Sequence, residues 1–244
     1  MSELRGEARA RYVGAMFARI VRRYDLMNTL MTLGLDRSWR QLAVEMAGVG
    51  AGGLALDVAA GTGELTLALA RAGTRLAVGA DFSPEMLEAA SAKASRLGVG
   101  RAEFAGGDAL ALPFPDDTFD AATVGFGLRN VGDLPRALAE LRRVVRPGGR
   151  VVSLDLTQPH FAVSWLAWPY LRWVVPFLGG LVTGDREAYT YLPRSVDEFP
   201  AADRLAALMH AAGLRQVRYR FLGLGTVAIH IGVKPVPDQP TPAP

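Results

Sequence analysis

From residue 54 to residue 156 short apolar runs alternate with segments of helical period, and no other feature constrains the fold as tightly. LALDV (54–58), RLAVGAD (75–81), RAEFAGG (101–107), FDAATVGFG (119–127) and RVVSLDL (150–156) have the length and composition of buried strands. GELTLALARAG (63–73), SPEMLEAASAKASRLG (83–98) and DLPRALAELRRVVR (133–146) read as helices. The second of these opens on Ser83 as N-cap with Pro84 at the first helical position. The third opens on Asp133, with PGG (147–149) as its stop. Strand and helix in turn at this spacing imply right-handed crossovers and a parallel sheet with helices on both faces.

The rhythm lapses over residues 157–198, a segment that holds Trp165, Trp168 and Trp173. A helix at 203–213 and a hairpin, RQVRYRFLGLG followed by TVAIHIGVK, close the fold, so one strand runs antiparallel to the rest. The expected organisation is a helical cap or lid at 1–47, a body at 48–234 carrying the apolar insert 157–198, and a disordered proline-rich tail at 235–244.

Composition removes several chemistries. The chain has no cysteine, and its histidines are the scattered His160, His210 and His230, so thiolate chemistry is excluded and a metal-free protein is expected. In the first 40 residues Arg5, Arg9, Arg11, Arg19, Arg22, Arg23, Arg37 and Arg40 outnumber Glu3, Glu7, Asp25 and Asp36. Such a surplus suits nucleic acid, an anionic membrane surface or simply a solvated helix face. The longest apolar run (161–184) is broken by Pro169, Arg172 and Pro176, short of the roughly 20 residues a membrane span needs. The first fifteen residues are charged and lack the apolar core of a signal peptide, so an intracellular protein is expected.

The chemistry gathers at the strand ends. LDVAAGTGEL places Asp57 at the end of a strand, then a turn in which Gly61 and Gly63 let backbone amides approach a ligand. A dinucleotide turn would need a third glycine where Thr66 stands. Asp81 ends the next strand, about 20 residues on, where a carboxylate can accept both ribose hydroxyls of a nucleoside. Asp108 follows the third strand at the same edge and can accept from an adenine amine, with the Ala109 backbone beside it.

Three features at three successive strand ends resemble the class I S-adenosylmethionine-dependent methyltransferases, which implies a Rossmann-like α/β fold with a seven-stranded, mostly parallel sheet and one antiparallel strand. The resemblance narrows on MFARIVRRYDLMNTLMTLGLDRSWR (16–40), ALPFPDDTFDAATVGFGLRNVGD, LRRVVRPGGRVV and YTYLPRSVDEFP (189–200), which are similar to stretches of the ubiquinone/menaquinone biosynthesis C-methyltransferases. The match spans residues 12–234. It departs at Ala60, a usual glycine, and at Gly125, where some members carry a serine that contacts the cofactor.

The resemblance implies that Thr62, Asp81, Asp108 and Ala109 hold S-adenosylmethionine, that Gly61 and Gly63 shape its cradle, and that Asp57 orients the loop. It implies methyl transfer to a ring carbon of a prenylated naphthoquinol or benzoquinol, with demethylmenaquinol the favoured acceptor. No nucleic acid is expected as a partner. The expected location is cytoplasmic, with peripheral contact at the cytoplasmic face of the membrane through the basic front and the tryptophan-rich insert, which otherwise is an ordinary apolar helix pair.

A quinol hydroxyl has a pKa of roughly 10, as tyrosine's does, so the enzyme must stabilise a phenolate that is scarce at rest. Arg129 is the expected cation for it, with Asn130 bonded to the same oxygen; the alternative is an Arg129 paired to a core acid such as Asp133 or Asp155. His230 is either a base or a satisfied structural histidine. Tyr24, Asp25 and Asn28 are expected in a lid over the cofactor, and Tyr170, Tyr189 and Tyr191 in the wall of the quinol pocket. Two other functions fit the same residues: methylation of another lipophilic phenol, and non-catalytic S-adenosylmethionine binding.

Overall fold

The computed structural model describes residues 7–158, 168–183 and 186–237. His160, Trp165, the side chain of Tyr189 and the tail from residue 238 lie outside the described residues. Two helices lead, α1 (Glu7–Met31) and α2 (Leu35–Ala47). There follow β1 (Leu54–Val58), α3 (Glu64–Arg71), β2 (Leu76–Asp81), α4 (Pro84–Arg96), β3 (Ala102–Gly106), β4 (Phe119–Gly125), a 3-10 turn (Leu128–Asn130), α5 (Leu134–Val144) and β5 (Val145–Leu156). A π turn (Tyr170–Val174), α6 (Val175–Thr183), α7 (Arg186–Glu198), α8 (Ala202–Ala211), β6 (Arg215–Leu222) and β7 (Val227–Val233) complete it.

The seven strands form one sheet in the order β3-β2-β1-β4-β5-β7-β6. β7 runs antiparallel to both its neighbours and every other pair is parallel, so the fold is the seven-stranded Rossmann-like architecture expected. The helix caps are those of the sequence: Ser83 Oγ accepts from the Met86 amide and Asp133 Oδ1 from the Arg136 amide. β5 begins earlier than the expected residue 150. Val145 already pairs with Phe119; the ladder to β4 then breaks until Arg150, and across the break Gly148, at φ 79°, donates its amide to Lys234 O while Gly149 O accepts from the Lys234 amide.

Central parallel strands are covered on both faces, so they read as unbroken apolar runs. One core packs Leu138 and Leu141 of α5 and Met209 of α8 against the sheet. The second packs Ala43 and Val44 of α2 and Leu65 and Leu69 of α3 against Val152 and Ile229. A third, smaller core joins α1 to the insert through Met16, Ile20, Met27 and Val175. That third cluster holds the front helix and the insert together above the carboxyl ends of the strands.

Candidate active site

From β1 the chain winds toward β2 and β3 on one side and later returns beside β1 as β4, so the ends of β1 and β4 flank a crevice at the reversal of strand order. Both strands end in strained residues: Ala59 has φ 54° and Phe126 has φ 57°, left-handed values that non-glycine residues rarely adopt. The two turns press together. A Cβ on Gly127 would lie 2.6 Å from the Ala59 Cβ, so only glycine fits there. Gly125 is less confined: a Cβ would meet only Leu65 Cδ2, at 3.2 Å, and this chain lacks the hydroxyl that a serine would bring there.

A cavity of about 620 Å³, the more polar of two that meet here, opens over this edge, lined among others by Gly61, Asp81, Asp108, Ala109, Gly125 and Asn130. Asp81 Oδ2 accepts from the Gly61 amide at 2.7 Å and Oδ1 from the Ser83 amide at 2.9 Å. Each carboxylate oxygen retains a lone pair, so two acceptors remain for two further donors. Burial raises the Asp81 pKa, and the amides of Ser83, Gly61 and Phe82 oppose that rise. Asp108 accepts from the Leu110 amide at 2.8 Å. The Asn130 side-chain oxygen is buried and has no partner, leaving an acceptor at the cavity wall. Such a set fits a nucleoside with a cis-diol and an amine.

Three of the expected residues do not line this cavity. Asp57 lies beneath it, fully buried, accepting from Thr66 Oγ1 at 2.8 Å and Thr123 Oγ1 at 3.0 Å, and so tying β1 to α3 and β4. Its burial, only partly offset by those hydroxyls, pushes its pKa up to about 6. Thr62 turns away from the cavity and donates to Asp25 Oδ1 at 2.5 Å. Gly63, at φ 81°, serves as the N-terminal turn of α3. Asp25 also receives Lys93 Nζ at 2.5 Å, and Lys93 reaches Glu64 at 2.7 Å. Through these contacts α1 is fastened to the glycine turn and to α4.

A second, mainly apolar cavity lies beside the first, walled by Met16, Ile20, Leu156, Val175 and Leu192, with Tyr24, Asn28, Tyr170 and Tyr191 among its polar groups. Phe17, Tyr24 and Phe126 line both cavities and form the partition between them. Arg129 faces the apolar cavity, whereas Asn130 faces the polar one, so the two adjacent side chains do not converge on a single atom. Arg129 is buried and ion-paired to Asp155 at 2.6 Å, the alternative weighed from the sequence, while still reaching the cavity wall. Its Nη1 also donates to Phe126 O at 2.6 Å. Burial pulls the Arg129 pKa down, but Asp155, Tyr24 and Tyr191 outweigh it and hold the group above its ordinary value. The guanidinium stays charged.

His230 lines neither cavity. It is buried, its Nε2 lies 2.8 Å from Ala202 O, it stacks on Tyr219 and its pKa is lowered by burial; its Nδ1 is buried without a partner, so it is a structural histidine that is only half satisfied. Tyr170 donates to Met31 O at 2.8 Å and joins the insert to α1. The Tyr191 hydroxyl is buried without a partner. Sequence reasoning passed over Asp36 and Arg40, an i,i+4 ion pair on the apolar cavity. A signal existed: Asp36 and Arg40 fall on the buried face of α2 with Ala43 and Ala47, where charges are uncommon.

The ubiE/COQ5 methyltransferase family matches residues 5–234. A demethylmenaquinone methyltransferase of Thermus thermophilus is 49% identical over 222 residues, covering 90% of this chain and 100% of its own. A ubiquinone/menaquinone biosynthesis C-methyltransferase of Saccharophagus degradans is 38% identical, covering 93% of each. Among solved structures, a SAM-dependent methyltransferase of Thermotoga maritima superimposes with a TM-score of 0.64 at 20% identity, covering 91% of this chain and 99% of that one. One of Aquifex aeolicus gives 0.58 at 18% identity, covering 82% and 92%. The two structures establish the fold alone.

Proposed function

The chain belongs to the ubiE/COQ5 methyltransferase family, and from that premise we propose that it methylates a ring carbon of a prenylated quinol, converting demethylmenaquinol to menaquinol. S-adenosylmethionine is the methyl donor and supplies, when bound, a methyl group on a positively charged sulfur. The observation that carries the reading is the shared partition: a polar cavity fitted to a nucleoside and an apolar cavity fitted to an aromatic ring meet at Phe17, Tyr24 and Phe126. Transfer requires the two reactants about 3–3.5 Å apart, and only at such a junction can they approach.

On this reading Asp81 holds the ribose hydroxyls, Asp108 and Ala109 the adenine edge, and Gly61 the methionine end. Thr62, Gly63 and Asp57 act from behind, fixing the turn rather than touching the nucleoside. Arg129 places positive charge beside the acceptor's oxygen and steadies the phenolate as it forms. Of the expected cap at 1–47, the described part, α1 and α2, covers the catalytic body that follows it up to residue 234. Mass spectrometry of quinones after incubation of pure protein with donor and reduced demethylnaphthoquinol tests the reading. A product heavier by one methyl on the ring is expected; an unchanged quinol, or a methyl found on oxygen, defeats it.

Trp173, Phe177 and Leu181 recur at i, i+4 and i+8 and are 76%, 65% and 73% exposed. The same segment supplies Tyr170 and Val175 to the apolar cavity, so the stripe adjoins the place where an isoprenoid tail would leave it. No described helix is long and apolar enough to cross a membrane. Replacing Trp173 and Phe177 with Ser is expected to cut co-sedimentation with anionic liposomes about tenfold while sparing turnover of a tail-less acceptor. Equal co-sedimentation would remove the stripe from the account.

A further inference from the structure

Methyl transfer to a quinol ring carbon requires a group that takes the acceptor's hydroxyl proton, and a guanidinium cannot. We propose that Asp36 is that proton acceptor, an assignment that rests on the quinol reading. Asp36 is 4% exposed and is the one carboxylate lining the apolar cavity among the described residues. Arg40, one turn further along α2, binds its Oδ2. Its Oδ1 lies 3.0 Å from Thr32 Oγ1, and that same hydroxyl lies 2.8 Å from Asn28 O.

A hydroxyl has a single hydrogen, so Thr32 can donate to only one of these oxygens at a time. With Asp36 ionised, the hydrogen points at Oδ1. With Asp36 protonated on Oδ1, Thr32 accepts from it and turns its own hydrogen to Asn28 O. Both protonation states are therefore fully hydrogen-bonded without displacement of a heavy atom, which is the requirement for a group that takes and returns a proton. The other buried acids and bases are held away from the wall. Asp155 is held by the Arg129 side chain and amide and Asp57 by Thr66 and Thr123, while His230, bonded to Ala202 through Nε2 and with Nδ1 unpartnered, lines neither cavity. The charged and titratable groups sharing the cavity with Asp36 are Arg40 on its own helix, Tyr24 on α1, Arg129 on the 3-10 turn, and Tyr170 and Tyr191 from the insert.

The acceptor's O–H bond breaks, the proton passes to Asp36 Oδ1 and the electron pair moves into the ring. The ring carbon forms its bond to the methyl group while the electrons of the broken C–S bond stay on sulfur. That carbon then loses its hydrogen to solvent as a proton, which restores the aromatic ring, and the quinolate oxygen recovers the proton held on Asp36. One methyl is gained, one proton is released and the carboxylate is regenerated.

Asp36→Asn, assayed with donor and a tail-less reduced demethylnaphthoquinol, is expected to lower kcat about 100-fold at pH 7 with donor affinity within about threefold of the wild type. The deficit should narrow as the pH rises toward about 10, where the acceptor ionises unaided. A second readout needs no turnover. Without donor, the wild type should bind 4-methoxy-1-naphthol about tenfold more tightly than 1,4-dimethoxynaphthalene, and the variant only about threefold, because a charged acceptor makes the stronger bond. If Asp36→Asn does not fold, Thr32→Val should lose about tenfold in kcat and Thr32→Ser should restore it. A kcat within about threefold of the wild type, or a deficit equal at every pH, overturns the assignment. A wild type that leaves the naphthoquinol unmethylated overturns the quinol reading with it, whereas loss of the hydroxyl preference alone concerns Asp36.

Discussion

Asp81→Ala is expected to raise the dissociation constant for S-adenosylmethionine by two to three orders of magnitude in a calorimetric titration. Two ribose hydroxyls donating to an ionised carboxylate contribute about 1.5–3 kcal/mol each, and the lower figure for both already exceeds a hundredfold. The loss goes further because Asp81 also holds the Gly61 and Ser83 amides, so the glycine turn and the start of α4 slacken together. Asp81→Asn keeps one acceptor oxygen and should fall between the two proteins. The raised pKa of Asp81 adds a sign: binding uses the ionised form, so affinity should decline as the pH falls through that raised value. A change below about tenfold on well-folded Asp81→Ala would detach this residue from the donor.

Arg129→Leu should fail in two ways at once. It leaves Asp155 buried at 2% exposure without its cation, and breaking such a pair costs about 3–5 kcal/mol. It also removes the charge beside the acceptor, for which about a thousandfold loss in kcat is expected. The double variant Arg129→Leu/Asp155→Leu separates the effects, since replacing a whole buried ion pair by apolar groups is often neutral. Stability, read from the denaturant midpoint, should return in the double variant while turnover does not. Recovery of turnover as well would reduce Arg129 to a scaffold.

The sheet was legible because its signals are local: β1 to β5 are apolar runs punctuated by caps such as Ser83 and Asp133 that act within a turn of chain. Asp81 and Asp108 could be placed at one edge because a parallel sheet puts every strand end there. Side-chain direction was another matter. Thr62 sits in the expected turn yet points to Asp25, 37 positions earlier in the chain, and adjacent Arg129 and Asn130 diverge into different cavities. The start of β5 was missed because the ladder to β4 does break at these glycines, but Val145 pairs with Phe119 before the break. Asp36 and Arg40 were passed over because their role depends on a cavity that α2 shares with the insert, segments more than a hundred residues apart.

Phe17 and Tyr24 belong to α1, the helix pinned by Asp25 to Thr62 and Lys93. A single rod thus furnishes the dividing wall of two chambers and is bolted to the floor of one. If filling one chamber shifts this rod, the welcome given to the guest of the other changes by the same factor in each direction. Donor and acceptor would then be read jointly, as a matched couple, before any bond is made.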